Sequence, residues 1–286
     1  MLVKHENNNT ILTDFEDFDL KQTFTCGQCF RWDSLPDGSY AGVAFGKFLK
    51  ISADGAEFTL HGVSPTEYAD IWEKYFDIPR DYSAIKQKLA VSDIMKKAIT
   101  AGSGIRILRQ DIWETTVSFI ISASNNIPRI KKIIAAFCEQ FGENLGNGFF
   151  SFPSPDQLRG ITVQDLAPIR SGFRAKYIVD AVNKVNSGEV DIHSLETLST
   201  NDARKQLLKI SGVGNKVADC ILLFSLGRMD VFPVDVWINN TMQALYPEKC
   251  SSISDARTAG PEIFGENCGI AQQYLFYYAR ENGGNL

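Results

Sequence analysis

The sequence predicts an α+β fold: an N-terminal antiparallel β-sheet region over residues 1–102, then an all-α region over residues 103–286. Three observations carry this. Up to about Val63, short alternating stretches are separated by turn signals at Pro36-Asp37-Gly38 and Asp54-Gly55, as in antiparallel strands joined by tight turns. From Arg109 onward the apolar residues recur every three to four positions, the spacing of a buried helix face. Between two such stripes stands the turn Ser211-Gly212-Val213-Gly214, where glycine permits a backbone closed to residues with a Cβ.

Taken in order, Phe18 to Phe24 alternates and reads as a strand, and Cys29 to Trp32 starts the next. Tyr40 to Ile51 and Phe58 to His61 follow as further strands. Ser64-Pro65-Thr66-Glu67 then supplies a cap, a first-turn proline and an acid, which together open a helix. Its apolar stripe is Tyr68, Ile71, Trp72, Tyr75 and Phe76, and Pro79 stops it. A pair of helical stretches fills Asp81 to Ala101, and Gly102-Ser103-Gly104 reads as a boundary. Asp111 to Ser122 is apolar enough for a buried helix, and Ile127 to Phe141 sets an apolar face against a basic one, ended by Gly142. Asn144 to Pro155 reads as a loop. Ala175, Ile178, Val179, Val182 and Val185 form another stripe, stopped near Gly188. The hairpin, residues 200–226, joins helices at Thr200 to Lys209 and Val217 to Leu226; Val236 to Tyr246, Asp255 to Phe264 and Ile270 to Asn282 complete the series.

With 44% hydrophobic and 22% charged residues the composition is that of a globular chain. No apolar run approaches the roughly 18 residues of a membrane span. The first residues lack the basic-then-apolar build of a signal peptide, so an intracellular location and no membrane partner are expected. Six cysteines include one C-x-x-C, Cys26 and Cys29, without a second close pair or a nearby histidine; this favours reduced thiols over metal. A net charge of −5 argues against a polyanionic partner, but its distribution does not. Residues 1–80 carry a balance of −6 and the remainder +1, with cations gathered at Arg129-Ile130-Lys131-Lys132, Arg174-Ala175-Lys176 and Arg204-Lys205. Solvated helix faces also explain such clusters; together with candidate loops they suit a phosphate backbone.

The hairpin carries the chemistry. Backbone N–H groups around Gly212 and Gly214, beside a helix N-terminus, favour an anion, phosphate above all. Lys216 opens the second helix, where a positive dipole end disfavours a second positive charge and makes the free amine, the nucleophilic form, easier to reach. Nineteen residues on, Val231-Phe232-Pro233-Val234-Asp235-Val236-Trp237 isolates a carboxylate in an apolar run, at a helix N-cap position. A buried charge needs a partner. Ser124-Asn125-Asn126 places polar groups at a tip between two helices, equally suited to helix capping or to contacting a ligand. Gly172-Phe173-Arg174 sets an aromatic and a cation before a helix: a wedge for a base stack, or a buried helix start. Gln272 and Phe276, four apart, share a helix face and suit a flat heterocycle by hydrogen bonding and stacking.

The hairpin followed by Pro233-Val234-Asp235 resembles the helix-hairpin-helix, Gly/Pro-Asp superfamily of DNA glycosylases. The string Gly212-Val213-Gly214-Asn215-Lys216-Val217-Ala218-Asp219-Cys220 resembles its 8-oxoguanine DNA glycosylase branch, and the likeness runs from about Phe18 to the C-terminus. The resemblance implies that Lys216 attacks C1′ of the damaged nucleotide, that Asp235 supports the attack, and that Cys220 adjoins the lysine. It further implies that the Gly27 carbonyl, on a strand-edge segment Cys26-Gly27-Gln28, accepts the N7–H of the lesion, while Phe276 and Gln272 hold the extruded base. Arg129 and Arg174 correspond to arginines that hold the orphaned cytosine, and Phe173 to the wedging aromatic. Ser124 and Phe173 stand where the eukaryotic pattern has Asn and Tyr, which implies looser discrimination of the opposite base. Trp237 and Ala279 replace a mutually paired His and Asp, removing one phosphate contact.

The expected function is therefore excision of 8-oxoguanine from duplex DNA by a monomer, through base flipping, a Schiff base on Lys216 and β-elimination, with no redox cofactor or catalytic metal. A glycosylase of the same fold for another lesion and a non-catalytic hairpin DNA-binding module are the alternatives. The lysine opposes most of the former, and the isolated Asp235 the latter.

Overall fold

A computed structural model of the chain describes residues 1–283. Its N-terminal part is a six-stranded, wholly antiparallel sheet in the order β1-β2-β6-β5-β4-β3. The strands are β1 (Leu2–Glu6), β2 (Asn9–Thr13), β3 (Trp32–Ser34), β4 (Tyr40–Ala44), β5 (Lys47–Asp54) and β6 (Glu57–His61). Two expectations change here. The alternating stretch Phe18 to Phe24 is not a strand: it holds helix α1 (Leu20–Thr25), whose start Asp19 caps by accepting the Gln22 N–H at 2.7 Å. Tyr40 to Ile51 is two strands, because Phe45 and Gly46 both take positive φ (51° and 69°) and close a two-residue hairpin between Ala44 and Lys47.

Ser64 caps the next helical segment as expected, which runs through α2 (Pro65–Glu67), a π-turn at Tyr68–Trp72 and α3 (Glu73–Tyr75). Then come α4 (Tyr82–Leu89) and α5 (Asp93–Ala101), capped by Asp81 and Ser92. The remaining helices are α6 (Ile112–Ser122), α7 (Ile127–Phe141), α8 (Ala175–Asn186), α9 (Thr200–Leu207), α10 (Asn215–Phe224), α11 (Val236–Leu245), α12 (Ile253–Phe264) and α13 (Cys268–Glu281). The stretch from Asn144 to Pro155, expected to be a loop, contains a small hairpin of β7 (Asn144–Gly146) and β8 (Phe149–Phe150). Phe149 meets Phe48 with ring centroids 4.6 Å apart, so this hairpin is also attached to the sheet. Among the described residues no helix is long and apolar enough to cross a membrane.

Two hydrophobic cores result. Trp32, Trp72, Phe76 and Phe58 lie under the sheet, while the larger core gathers α6 to α13 and also takes in Tyr82, Leu89, Met95 and Ala98 of α4 and α5. Buried polar groups join the two. Arg106 is fully enclosed, donating from Nε to the Phe76 carbonyl at 3.0 Å and from Nη2 to the Asp77 and Arg80 carbonyls, with its guanidinium 4.2 Å from the Tyr82 ring centre. Burial without a carboxylate partner holds its pKa below the usual arginine range; backbone carbonyls supply the compensation an enclosed cation requires. The Gln28 amide spans the same junction, donating to Thr23 and Arg106 carbonyls and accepting from the Leu108 N–H at 2.9 Å. The Arg31–Glu114 pair and Lys131–Asp33 complete the seam. Thus Gly27, on the sheet side, is fixed against helices that come much later in the chain.

Candidate active site

The hairpin forms as expected, but only Gly212 must be glycine: Gly214 has φ −92° and open space where a Cβ would sit. Gly212 has φ +84°, and a Cβ there would lie 2.6 Å from the Tyr177 ring. The α8 helix fixes the turn from beneath: Asp180 accepts the Ser211 N–H at 2.7 Å, and Lys184 donates to the Lys209 carbonyl. Gly214 is the N-cap of α10 without a side chain to cover the helix start, so the first N–H groups of α10 stay open to an anion. G212A is accordingly expected to lose about 1–3 kcal/mol of stability through backbone strain and the clash, measured by urea denaturation; an unshifted midpoint would contradict this packing.

Lys216, one residue into α10, is half-buried, and its Nζ sits 5.0 Å from the centre of the Phe119 ring. Cys220, one turn on, is buried; burial pushes its thiol up to about 11 against the pull of neighbouring Lys216. It therefore remains a neutral thiol at neutral pH and does not compete as a nucleophile. Asp235 caps α11, its Oδ1 accepting the Ile238 N–H at 2.9 Å. No hydrogen bond to its Oδ2 is present among the described residues, which leaves that oxygen free to act on a ligand.

These residues share one narrow slot of about 30 Å³, lined by Gly27, Phe119, Lys216, Cys220, Phe224, Pro233, Asp235, Gln272, Gln273 and Phe276. Gly27 has φ +88°, and Phe276 Cε1 lies 3.3 Å from where its Cβ would be; a side chain here would close the slot. Its segment is not a strand edge, as expected from the sequence, but the turn leaving α1, pinned by Gln273 Nε2 on the Cys26 carbonyl at 2.9 Å. Gln272 is buried and its Oε1 has no hydrogen-bond partner among the described residues. An orphaned buried acceptor facing a slot is suited to a donor on a ligand. Phe119, Phe224 and Gln273 were not singled out from the sequence: Phe119 and Phe224 lie among the apolar residues of buried helices, and nothing there marks them off from core.

A wider cleft, about 720 Å³, lies elsewhere, lined by Arg109, Asp111, Trp113, Glu114 and His193 among others but by neither Lys216 nor Asp235. Its carboxylates already serve the fold, since Asp111 caps α6 and Glu114 pairs with Arg31 at 3.0 Å.

A second group forms a tip. Phe173 is 54% exposed, and its ring meets Tyr177 edge-on at 6.1 Å, the same Tyr177 that packs under Gly212. The exposed aromatic is thus mechanically continuous with the hairpin. Arg129 is exposed, whereas Arg174 is buried, and its guanidinium bonds the carbonyls of Ala123, Ser124 and Ser171 and stacks 4.4 Å from the centre of Phe173. Arg174 therefore shapes the Ser124 turn instead of standing free. Ser124 is exposed with φ +48°. Asn126 caps α7, accepting the Arg129 N–H at 3.0 Å, and the Asn125 amide donates to the Ile121 carbonyl at 3.1 Å. Of the other cations, Lys131 pairs with Asp33, and Arg204 joins Arg257 on the buried Asp219, tying α9, α10 and α12 together behind the lysine. All six cysteines are buried and free.

Comparison with known proteins matches the chain to DNA glycosylases. The family model described as 8-oxoguanine DNA glycosylase, N-terminal domain, matches residues 10–116, and the one described as HhH-GPD superfamily base excision DNA repair protein matches residues 117–258. The N-glycosylase/DNA lyase OGG1 of Arabidopsis thaliana is 31% identical over 284 residues, covering 90% of this chain and 76% of its own. The structure of MBOgg1 with a low-affinity DNA ligand superposes with a TM-score of 0.95 at 45% identity over 99% of each chain. The Clostridium acetobutylicum 8-oxoguanine glycosylase/lyase, in complex with double-stranded DNA containing cytosine opposite 8-oxoG, gives 0.95 at 41% identity over 99% of each chain. The two family models and the relative of 31% identity show that the chain belongs to the 8-oxoguanine DNA glycosylase family of the helix-hairpin-helix base-excision repair proteins.

Proposed function

We propose that the chain excises 8-oxoguanine from double-stranded DNA and then nicks the strand, with Lys216 as nucleophile and Asp235 as the supporting carboxylate. The observation that carries this is the convergence of Lys216, Asp235, Gly27, Gln272 and Phe276 on one slot, from segments at opposite ends of the chain. The Clostridium acetobutylicum relative, solved with DNA containing cytosine opposite 8-oxoG, supports the choice of substrate. Open N–H groups at the Gly212–Gly214 hairpin take a backbone phosphate. Phe173 enters the stack as the damaged nucleotide turns out, at a cost of a few kcal/mol of unstacking. The base enters between Phe276 and Cys220, its Watson–Crick edge against Gln272 and its N7–H toward the Gly27 carbonyl. A slot of about 30 Å³ has room for roughly one water, so Phe276 moves away from Gly27 to admit it.

The Lys216 amine bonds to C1′ as the glycosidic bond breaks, its electron pair leaving with the base. The C1′–O4′ bond then opens as the nitrogen, giving up its proton, forms the C=N of a Schiff base, and loss of a C2′ proton expels the 3′ phosphate and severs the strand. The Asp235 carboxylate, which lines the same slot as the lysine, offsets the positive charge that develops on the sugar. The opposite base meets Arg129 and the Ser124 tip, with Arg174 tied to its own backbone, so discrimination at that position is modest.

The test is a denaturing gel after incubation with 8-oxoguanine duplexes carrying each of the four opposing bases. Cleavage at the lesion is expected with all four, at rates within about tenfold of one another, and none with undamaged duplex. Binding without cleavage would reduce the protein to a DNA grip, and cleavage only at an alkylated purine would change its substrate.

A further inference from the structure

We propose that Arg280 is a positioning residue for lesion recognition: lodged against both the Phe276 ring and the Cys26–Gly27 turn, its guanidinium sets how these two walls of the slot part to admit a base. The inference rests on the reading that the slot takes a damaged purine. Gln272, Phe276 and Arg280 follow one another at four-residue steps on α13, hence on one face. The first two line the slot, and Arg280 stands one turn further along. Its Cζ lies 5.8 Å from the Phe276 ring centre and 5.5 Å from that of Tyr277. Its Nη1 is 3.8 Å from the point where a Gly27 Cβ would sit, the point that Phe276 Cε1 approaches to 3.3 Å. One planar cation thus borders the stacking ring and the turn together. Burial pushes the Cys26 thiol up to about 11, and the charge on Arg280 is among the effects pulling it back, a further sign of proximity to this turn.

The hydrogen bonding is unfinished. Nη2 meets Glu281 at 3.1 Å, but Nη1 is buried without a partner among the described residues. A buried guanidinium N–H left unpaired calls for a reason. The two unpaired side-chain groups bordering this site, Gln272 Oε1 and Arg280 Nη1, lie on either side of Phe276 along α13. The first faces the base in the reading above. The second is beside Gly27, where an unused N–H can follow the turn as Phe276 withdraws and hold it in its new place. The ring face and the turn then keep a fixed register whichever base is offered, and a base that does not fit that register is not held.

Two substrates separate this role from a structural one: a duplex with 8-oxoguanine, and a duplex with a preformed abasic site, which offers Lys216 a sugar but no base. In R280M, which keeps an unbranched apolar stem but loses the charge and donors, single-turnover excision of 8-oxoguanine is expected to fall about tenfold or more, with abasic-site nicking within about twofold of wild type. R280K, which restores the charge, is expected to recover part of the excision rate. Undiminished 8-oxoguanine excision in R280M would overturn the proposal, and so would a parallel loss on both substrates, which marks a structural residue. Wild-type protein that nicks abasic sites but leaves 8-oxoguanine intact would instead overturn the substrate reading and this inference with it.

Discussion

The K216Q protein is expected to bind an 8-oxoguanine duplex about as tightly as wild type while giving no borohydride-trapped adduct and no strand nick. Gln keeps much of the side-chain length, and its helix propensity is close to that of Lys, so α10 and the hairpin should persist. What disappears is the amine: an amide nitrogen does not add to a sugar carbon, and no other lysine lines the slot. The loss in excision should be about 10³-fold or more, the scale of removing a group that acts in the chemical step. Equal thermal stability and unchanged DNA affinity would show that the loss is chemical. Undiminished adduct would remove Lys216 from the mechanism.

D235N isolates a charge in the same way. Asn is as good an N-cap as Asp, so the bond from the Ile238 N–H to Oδ1, 2.9 Å in length, survives the change and α11 keeps its start. Only the negative charge beside the developing sugar cation is lost. Single-turnover excision is expected to fall by about 10²-fold or more, with binding within about threefold, because the interaction strengthens mainly in the transition state. Wild-type excision in D235N would leave Asp235 as a cap and nothing else.

The parts of this site that could be read in the sequence are those whose chemistry is contiguous or out of place. Gly212 announces a turn because its left-handed backbone and the Tyr177 ring beneath it exclude a Cβ, and Lys216 sits at a fixed offset from it. Asp235 stands out as an acid in an apolar run. Where the sequence misleads, two periods fit equally well or the informative partner is backbone. Six residues from Leu20 to Thr25 make fewer than two helical turns, so alternation and helical spacing cannot be separated there; the Asp19 cap decides. Phe45 in a left-handed conformation gives no turn signal, since such a residue seldom adopts it. Arg174 reads as a cation free to meet DNA and Arg106 carries no signal at all, yet both are buried on main-chain carbonyls, partners that no side-chain pattern encodes. Arg280 escapes notice for a related reason: its neighbour is Gly27, which lies near the other end of the chain.

The most direct measurement is mass-spectrometric mapping of the wild-type protein after borohydride reduction on an 8-oxoguanine duplex. The reduced sugar remnant is expected on the peptide containing Lys216 and on no other. Its appearance on Lys132, Lys176 or the N-terminal amine, with Lys216 unmodified, would contradict the assignment of the nucleophile.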